Sequence, residues 1–410
     1  NSDLFKVRRF FIIFVILVGI IGFFLYRLFF AQPAPQTPPT LTEGTIDITD
    51  FPQSDERVFD ETQDPTSSDL PFSDTRDDLT SRTPSVGEEP ARIRQVVDTR
   101  IISPAVDNRG NVRFYNQQDG KFYTVGPNDT VSALSSEIFF NAEKITWSPT
   151  TDESIIEYPD QSKIYYNFDT GKQVTLPKHW EEFSFSTQGD KIAAKSVGLS
   201  PDNRWLITSD PDGRNTKRVE ALGENGNKVT VDWSPNNQVV ALSRTGAPLG
   251  AERQEVLLVG QHGENFRSLV VEGRDFRSKW SADGKQLVYS VFNSRNGFRP
   301  ELWVVNAEGD NIGTGRRTLG VNTWADKCTF QDERFVFCAV PSSLESGSGF
   351  QPSLADTTAD NIFRIDLQTG LRSLIDFEGS HIVDTIFMGE DNDTLYFTDK
   401  IGGDLLRIDI

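Results

Sequence analysis

At 410 residues the chain has room for two or three average domains, or for one large all-β domain. A net charge of −19 argues against a nucleic-acid partner, which would need a basic face to neutralise phosphates. Two cysteines exclude a disulfide scaffold or a Cys-rich zinc site, while 30 Phe, 31 Gly and 21 Pro lean toward strands and turns.

The chain opens with an apolar element. Phe10 to Tyr26 is seventeen residues without a charge, and Leu28–Ala31 extends the run past Arg27. Together they reach roughly the 20 residues a helix needs to cross a bilayer core, and Arg27 can snorkel to the headgroups. Lys6, Arg8 and Arg9 precede the run and acids follow it, so the positive-inside rule places residues 1–9 in the cytoplasm. The expectation is a single-pass helix over 10–31, with everything after it outside. A cleaved secretory signal is the competing reading. The run exceeds the usual signal core and lacks a small-x-small cleavage site, which favours an uncleaved anchor. Either way the rest is exported.

Residues 32–91 begin with Pro33, Pro35, Pro38 and Pro39 and carry 14 acids against 3 bases. So polar a segment cannot bury enough surface to offset its ordering entropy, and a disordered acidic Pro/Ser/Thr-rich linker is expected. Its reach would be on the order of 40 Å.

From Arg92 to Ile410 short aromatic and β-branched runs alternate with Gly, Asp, Asn and Pro turns, which reads as one all-β domain. A unit recurs: an aromatic, Ser-Pro or a variant, a polar turn, then further strands. Its anchors are Val106-Asp107-Asn108, Trp147-Ser148-Pro149, Phe185-Ser186-Thr187, Trp233-Ser234-Pro235, Trp280-Ser281-Ala282-Asp283-Gly284, Phe330-Gln331-Asp332 and Phe387-Met388-Gly389. Successive anchors lie 41, 38, 48, 47, 50 and 57 residues apart, the spacing of four-stranded propeller blades. Seven anchors predict seven blades. The last blade runs out one strand short, and Arg92–Val97 is available to complete it, closing a ring over 92–410 and removing an open edge.

The Trp-Ser-Pro/Ala-Asp-Gly units resemble the repeats of TolB-like propellers, the WD40-like PD40 family, over all of Arg92–Ile410. The resemblance implies a bacterial cell-envelope protein with its propeller in the periplasm or at the surface. Similar propellers serve as interaction platforms or as gating domains of prolyl-oligopeptidase-type peptidases. Blades 1, 6 and 7 depart from the Trp-Ser-Pro core.

Chemistry is sparse, and no cofactor or metal is expected. A Gly-x-Ser-x-Gly elbow and a phosphate-binding glycine motif are both missing. His179, His262 and His381 lie outside metal-ligand spacing. Ser281–Gly284 resembles a sialidase Asp-box only in part, lacking the following Thr-Trp. Asp210–Asn215 resembles part of a calcium loop without its third acid or distal Glu, and a turn in blade 3 explains it better. Cys328 and Cys338 flank the turn Gln331–Arg334 symmetrically, so a hairpin would set them opposite each other. Outside the cytoplasm a cross-strand bridge is the expectation, with two buried thiols as the alternative.

One face carries more sequence than the other. Loops between second and third strands are short in blades 1, 2 and 7 but long in blades 3 to 6: Gly198–Asn203, Thr245–Arg253, Asn293–Pro300 and Pro341–Asp360. They would raise a wall bearing Arg253, Arg295, Phe298, Arg299 and Phe350, residue types enriched at binding hot spots. The closing strand runs toward that face, so the linker should join the opposite one. The functional expectation is a membrane-anchored platform for an envelope or surface protein or peptide, without enzymatic activity. The alternatives are a structural spacer, or an enzyme using channel carboxylates such as Asp232 and Asp384.

Overall fold

The structure, a computed structural model, describes residues 91–410 with Pro248 and Asn265 excepted. The expected membrane helix and the expected linker as far as residue 90 lie outside the described residues. Among the described residues no helix is long and apolar enough to cross a membrane.

Twenty-eight strands pair into seven four-stranded sheets. Each sheet is one blade of a β-propeller; in six of the seven the strands run from the axis outward in chain order, and the seventh takes its outermost strand from the start of the domain. Blade 2 shows why these residues make strands. It consists of Lys144–Trp147, Glu153–Glu157, Lys163–Asn167 and Gln173–Leu176, where the run of apolar and turn residues in the sequence predicts Lys144–Trp147, Ser154–Tyr158, Lys163–Phe168 and Gln173–Leu176. Its second strand holds Ser154, Ile155 and Ile156 in an unbroken buried run. A blade is packed on both faces by its neighbours, so continuous apolar runs replace the polar alternation of a one-sided sheet.

The recurrent Ser-x-Asp/Asn-Gly turn has a local physical cause. In blade 5 the Ser281 hydroxyl donates to Asp283 Oδ1 at 2.6 Å and accepts from the Gln286 amide at 2.9 Å. The Lys285 amide donates to the same carboxylate at 3.0 Å, and Gly284 takes the left-handed φ of +70° that closes the turn. Blade 4 repeats the device with Ser234 and Asn236. These turns also join the blades, since Asn236 Nδ2 donates to Gly284 O at 3.0 Å. Thr187 Oγ1 reaches Pro235 O, and Thr150 Oγ1 reaches Gln188 O, each at 2.8 Å.

The core is divided rather than central. Seven apolar clusters fill the seven junctions between blades. The junction of blades 1 and 2 is built from Tyr115, Phe122, Phe139, Ile145, Ile156 and Tyr166, with Trp147 and Phe168 packed against them. Arg113, only 1% exposed, crosses this junction to donate to Ser148 O and Thr151 O at 2.8 Å and lies over the Trp147 ring. Trp147 Nε1 returns a bond to Ser103 O at 2.8 Å.

Ring closure follows the expected route. Ile93–Val97 adds to Leu405–Asp409 with Ile93 opposite Ile408 and Val97 opposite Leu405. Val97 and Leu405 then pack on Ile101, Val112 and Phe114 of blade 1, so the first and last residues of the domain share one cluster. Ala91 donates to Asp376 O at 2.8 Å in blade 6 before the strand begins. Cys328 faces Cys338 across the first hairpin of blade 6, with Cα atoms 4.1 Å apart, and the two form a buried disulfide. It spans 10 residues of sequence and braces that hairpin alone.

Removing residues 1–97 leaves the third strand of blade 7 as an open edge, whereas removing 1–90 leaves the ring whole. The shorter protein should melt at least about 8 °C below the longer one and self-associate on gel filtration. Equal melting temperatures would show that the closing strand is dispensable.

Candidate functional site

Antiparallel strands alternate in direction, so loops between second and third strands emerge on the same face as the connections between blades. This loop-bearing face is where the two faces part in chemistry. Among the described residues eleven large apolar side chains stand exposed, and seven lie on this face: Ile138, Phe140, Leu199, Leu249, Phe350, Leu354 and Ile401. The opposite face is made of the Ser, Asp, Asn, Gly and Thr turns described above, where among the described residues Leu371 and the strand-end Val131 are exposed apart from the chain end. The seven stand on the loops of blades 1, 3, 4, 6 and 7, spread around the ring, with Ile138 and Phe140 sharing one connection and Phe350 and Leu354 one loop.

The wall on blades 4 to 6 is tied together by polar contacts. Asn293 caps the short helix Ser294–Asn296 with its side chain, and Gly297 ends it at a left-handed φ of 67°. Ser294 gives its amide and hydroxyl to the Glu252 carboxylate at 3.0 and 2.8 Å, joining the blade 4 and blade 5 loops. Those two bonds, with help from Arg274 and Arg295, hold the Glu252 carboxyl below its ordinary range. The blade 6 loop is pinned to blade 5 by Gly347 N to Gly297 O and Gly349 N to Phe298 O, both 2.8 Å.

The five wall residues predicted from sequence divide into two roles. Arg253 and Arg295 are exposed and share Glu272, at 3.2 and 3.9 Å, with Arg316 as a third partner at 3.2 Å. Phe350 is 57% exposed and packs edge-on against buried Phe292 at 4.5 Å, with Phe298 at 5.1 Å. Gly349 is required there, because a Cβ would overlap the Phe292 ring. Phe298 holds a left-handed φ of 57°, unusual for an aromatic, and the neighbouring rings fix it. Arg299 corrects the expectation. It is half-buried and donates to Leu344 O at 2.7 Å and Asn296 O at 3.1 Å, so it is a strut between two loops. Sequence reasoning missed Glu272, Phe292, Leu199 and Ile401. Glu272 follows a strand as an ordinary turn acid, and only the fold brings three arginines to it.

The two channel acids named from sequence lie apart. Asp232, just past the innermost strand Val229–Val231 of blade 4, neighbours Lys279 of blade 5. Desolvation pushes its carboxyl up to about 7 against the pull of Lys279 and of the Trp280 indole. Burial likewise pushes Lys279 down, opposed by Asp326 and Asp232. Asp384, exposed on blade 7, lines a cavity of about 170 Å³ at the channel mouth with Asp326 and Asp356. The cations there are already matched: Arg277 with Asp326 at 3.0 Å, Lys327 with Asp360 at 2.7 Å and Lys400 with Asp356 at 2.6 Å. In the loop Asp210–Asn215, Asp210 pairs with Lys191, while Asp212 takes Lys172 at 2.7 Å and Arg214 at 2.9 Å. Among the described residues no three His, Cys, Asp or Glu side chains converge as a metal site.

Unfolded, Asp232 would titrate near the usual carboxylate value of about 3.9. Between that value and the folded value of about 7, the unfolded chain has lost a proton that the folded ring keeps, so stability falls as pH rises through the window. Asp232→Asn should therefore gain melting temperature over the parent progressively from pH 4 to pH 8. A pH-independent difference between the two melting curves would place the carboxyl in its ordinary range.

No protein-family model matches the chain, and no curated protein matches it. Solved structures do match its fold. The β-propeller domain of Myceliophteria thermophila Cps50 (Swd1) aligns at 10% identity and a TM-score of 0.52, covering 78% of this chain and 99% of that one. An oligogalacturonate lyase in complex with manganese aligns at 12% identity and 0.51, over 78% of this chain and 93% of that one. The tricorn protease aligns at 11% identity and 0.46, and the matched part is 77% of this chain but only 34% of that protease. At such identities the likeness to the first two establishes the propeller fold alone.

Proposed function

We propose that the chain is a TolB-like, membrane-anchored propeller displayed outside the cytoplasm, and that it works as an interaction platform for an envelope or surface protein or peptide. The reading rests on one observation. Among the described residues, seven of eleven exposed large apolar side chains stand on the loop-bearing face, which also carries a wall that polar contacts hold in shape. A surface held in shape before binding loses less entropy when a partner docks. The uncharged stretch Phe10–Tyr26 with its basic flank supports the anchor. The lyase neighbour keeps an enzymatic reading in view, but Asp232 and Asp384 do not converge as a pair of acids would have to.

The platform reading predicts that Leu199→Ser, Phe350→Ser and Ile401→Ser together abolish capture of partners by the full chain from native envelopes while leaving its melting temperature intact. These positions are exposed, so the fold does not depend on them, unlike Arg299 and Phe298. Unchanged capture would move the interaction elsewhere. An absence of capture by the parent would favour the spacer reading.

A further inference from the structure

The blade 4 and 5 side of the wall carries the opposite sign to the molecule as a whole. The chain as a whole stands at −19, yet the loops of blades 4 and 5 hold an island of arginine. Arg253, Arg295 and Arg316 share a single carboxylate, Glu272. Arg274 spends its bond on Ala251 O at 2.8 Å and Arg299 on Leu344 O, so neither guanidinium is neutralised by a carboxylate among the described residues. Glu252 is the second acid of the island, and neutral donors of Ser294 hold its oxygens.

The five arginines outnumber Glu252 and Glu272 by three, and the balancing acids Glu345 and Asp356 lie on the blade 6 loop, so the positive charge is confined to the blade 4 and 5 side. Two of its members are free to reach outward. The Arg295 side chain is 68% exposed and stands 3.9 Å from Glu272, and that of Arg253 is 51% exposed. Directly beside them, Phe350 offers an exposed ring backed by Phe298 and Phe292, with Leu249 and Leu354 part-exposed nearby on the same wall. A cationic patch next to an aromatic step selects a ligand with both features.

We propose that the wall of blades 4 to 6 binds an acidic peptide segment carrying an aromatic anchor, its carboxylates on Arg253 and Arg295 and its ring against Phe350. The proposal rests on the platform reading and specifies its partner. Guanidinium forks pair with carboxylates in two-pronged geometry, and the ring pocket sets register. Elsewhere the acidic surface repels such a ligand, so the island also confines where it can land.

The test uses a fluorescein-labelled synthetic dodecapeptide of Asp and Glu with one central Phe, titrated with the full chain by fluorescence anisotropy. Two control peptides replace the acids by Asn and Gln, or the Phe by Ala. Arg253→Ser with Arg295→Ser should weaken binding of the acidic peptide about tenfold and flatten its salt dependence, since Arg316 still neutralises Glu272. Phe350→Ala should weaken it by a similar factor, and each control peptide should bind at least about tenfold more weakly than the parent peptide. Melting curves of the variants should match the parent.

Equal binding of the Asn/Gln peptide, or indifference to the double arginine variant, overturns the acidic specificity. If Phe350→Ala still weakens binding in that case, the platform reading survives alone. No binding of the acidic peptide up to about 1 mM overturns the proposal, as does binding of phosphatidylglycerol vesicles in its place, which would make the patch a membrane contact.

Discussion

Everything in this ring depends on one antiparallel pairing, that of Ile93–Val97 with Leu405–Asp409. A propeller has no central core to fall back on. Its apolar surface is divided among seven junctions, and each junction needs a blade on both sides. Without the closing strand, blade 7 would present unpaired backbone donors and acceptors at its rim. The cluster shared by Val97, Leu405, Ile101 and Val112 would also lose one wall. Closure therefore converts seven separately marginal sheets into one cooperative unit, and it does so with residues separated by more than 300 positions in sequence. Such long-range pairing slows folding, because the loop entropy is lost before the contacts reward it.

Closure also fixes the division of labour between the faces. Once every blade runs in the same sense, all Ser-x-Asp-Gly turns fall on one face, and there they knit blade to blade through bonds such as Asn236 to Gly284. That face cannot vary without loosening the ring. The other face carries connections with no such duty, and chain length has grown there in blades 3 to 6. Structural constraint on one side leaves the other free to carry recognition, as loops on a rigid scaffold commonly do.

Much of this was legible in the sequence, for reasons that can be named. The blade number, the strand limits of blade 2 and the borrowed strand all follow from local chemistry repeated at fixed spacing. Trp147, Trp233 and Trp280 mark strand ends because a large ring must fill each junction at the same height. Blades 1, 6 and 7, weaker in motif, were still placed by counting. The expected pairing of Cys328 and Cys338 came from hairpin symmetry, which is a local property too. The loop wall was visible as four long insertions.

What the sequence withheld is long-range. Glu272 gathers Arg253, Arg295 and Arg316 from three different segments, and no spacing rule announces it. Arg299 has the composition of a hot spot and the position of a strut, a difference set by the reach of its guanidinium to Leu344 O in the next blade. Asp232 reads as another turn-proximal acid until burial at the innermost strands lifts its carboxyl against the pull of Lys279. In each case the residue type is common and the environment decides its role. The arginine island follows the same logic: a local excess of positive charge in a −19 chain opposes the net field, and only the closed ring assembles it. A carboxylate-bearing ligand would meet that patch with opposite charge, while the acidic surface around it turns the same ligand away.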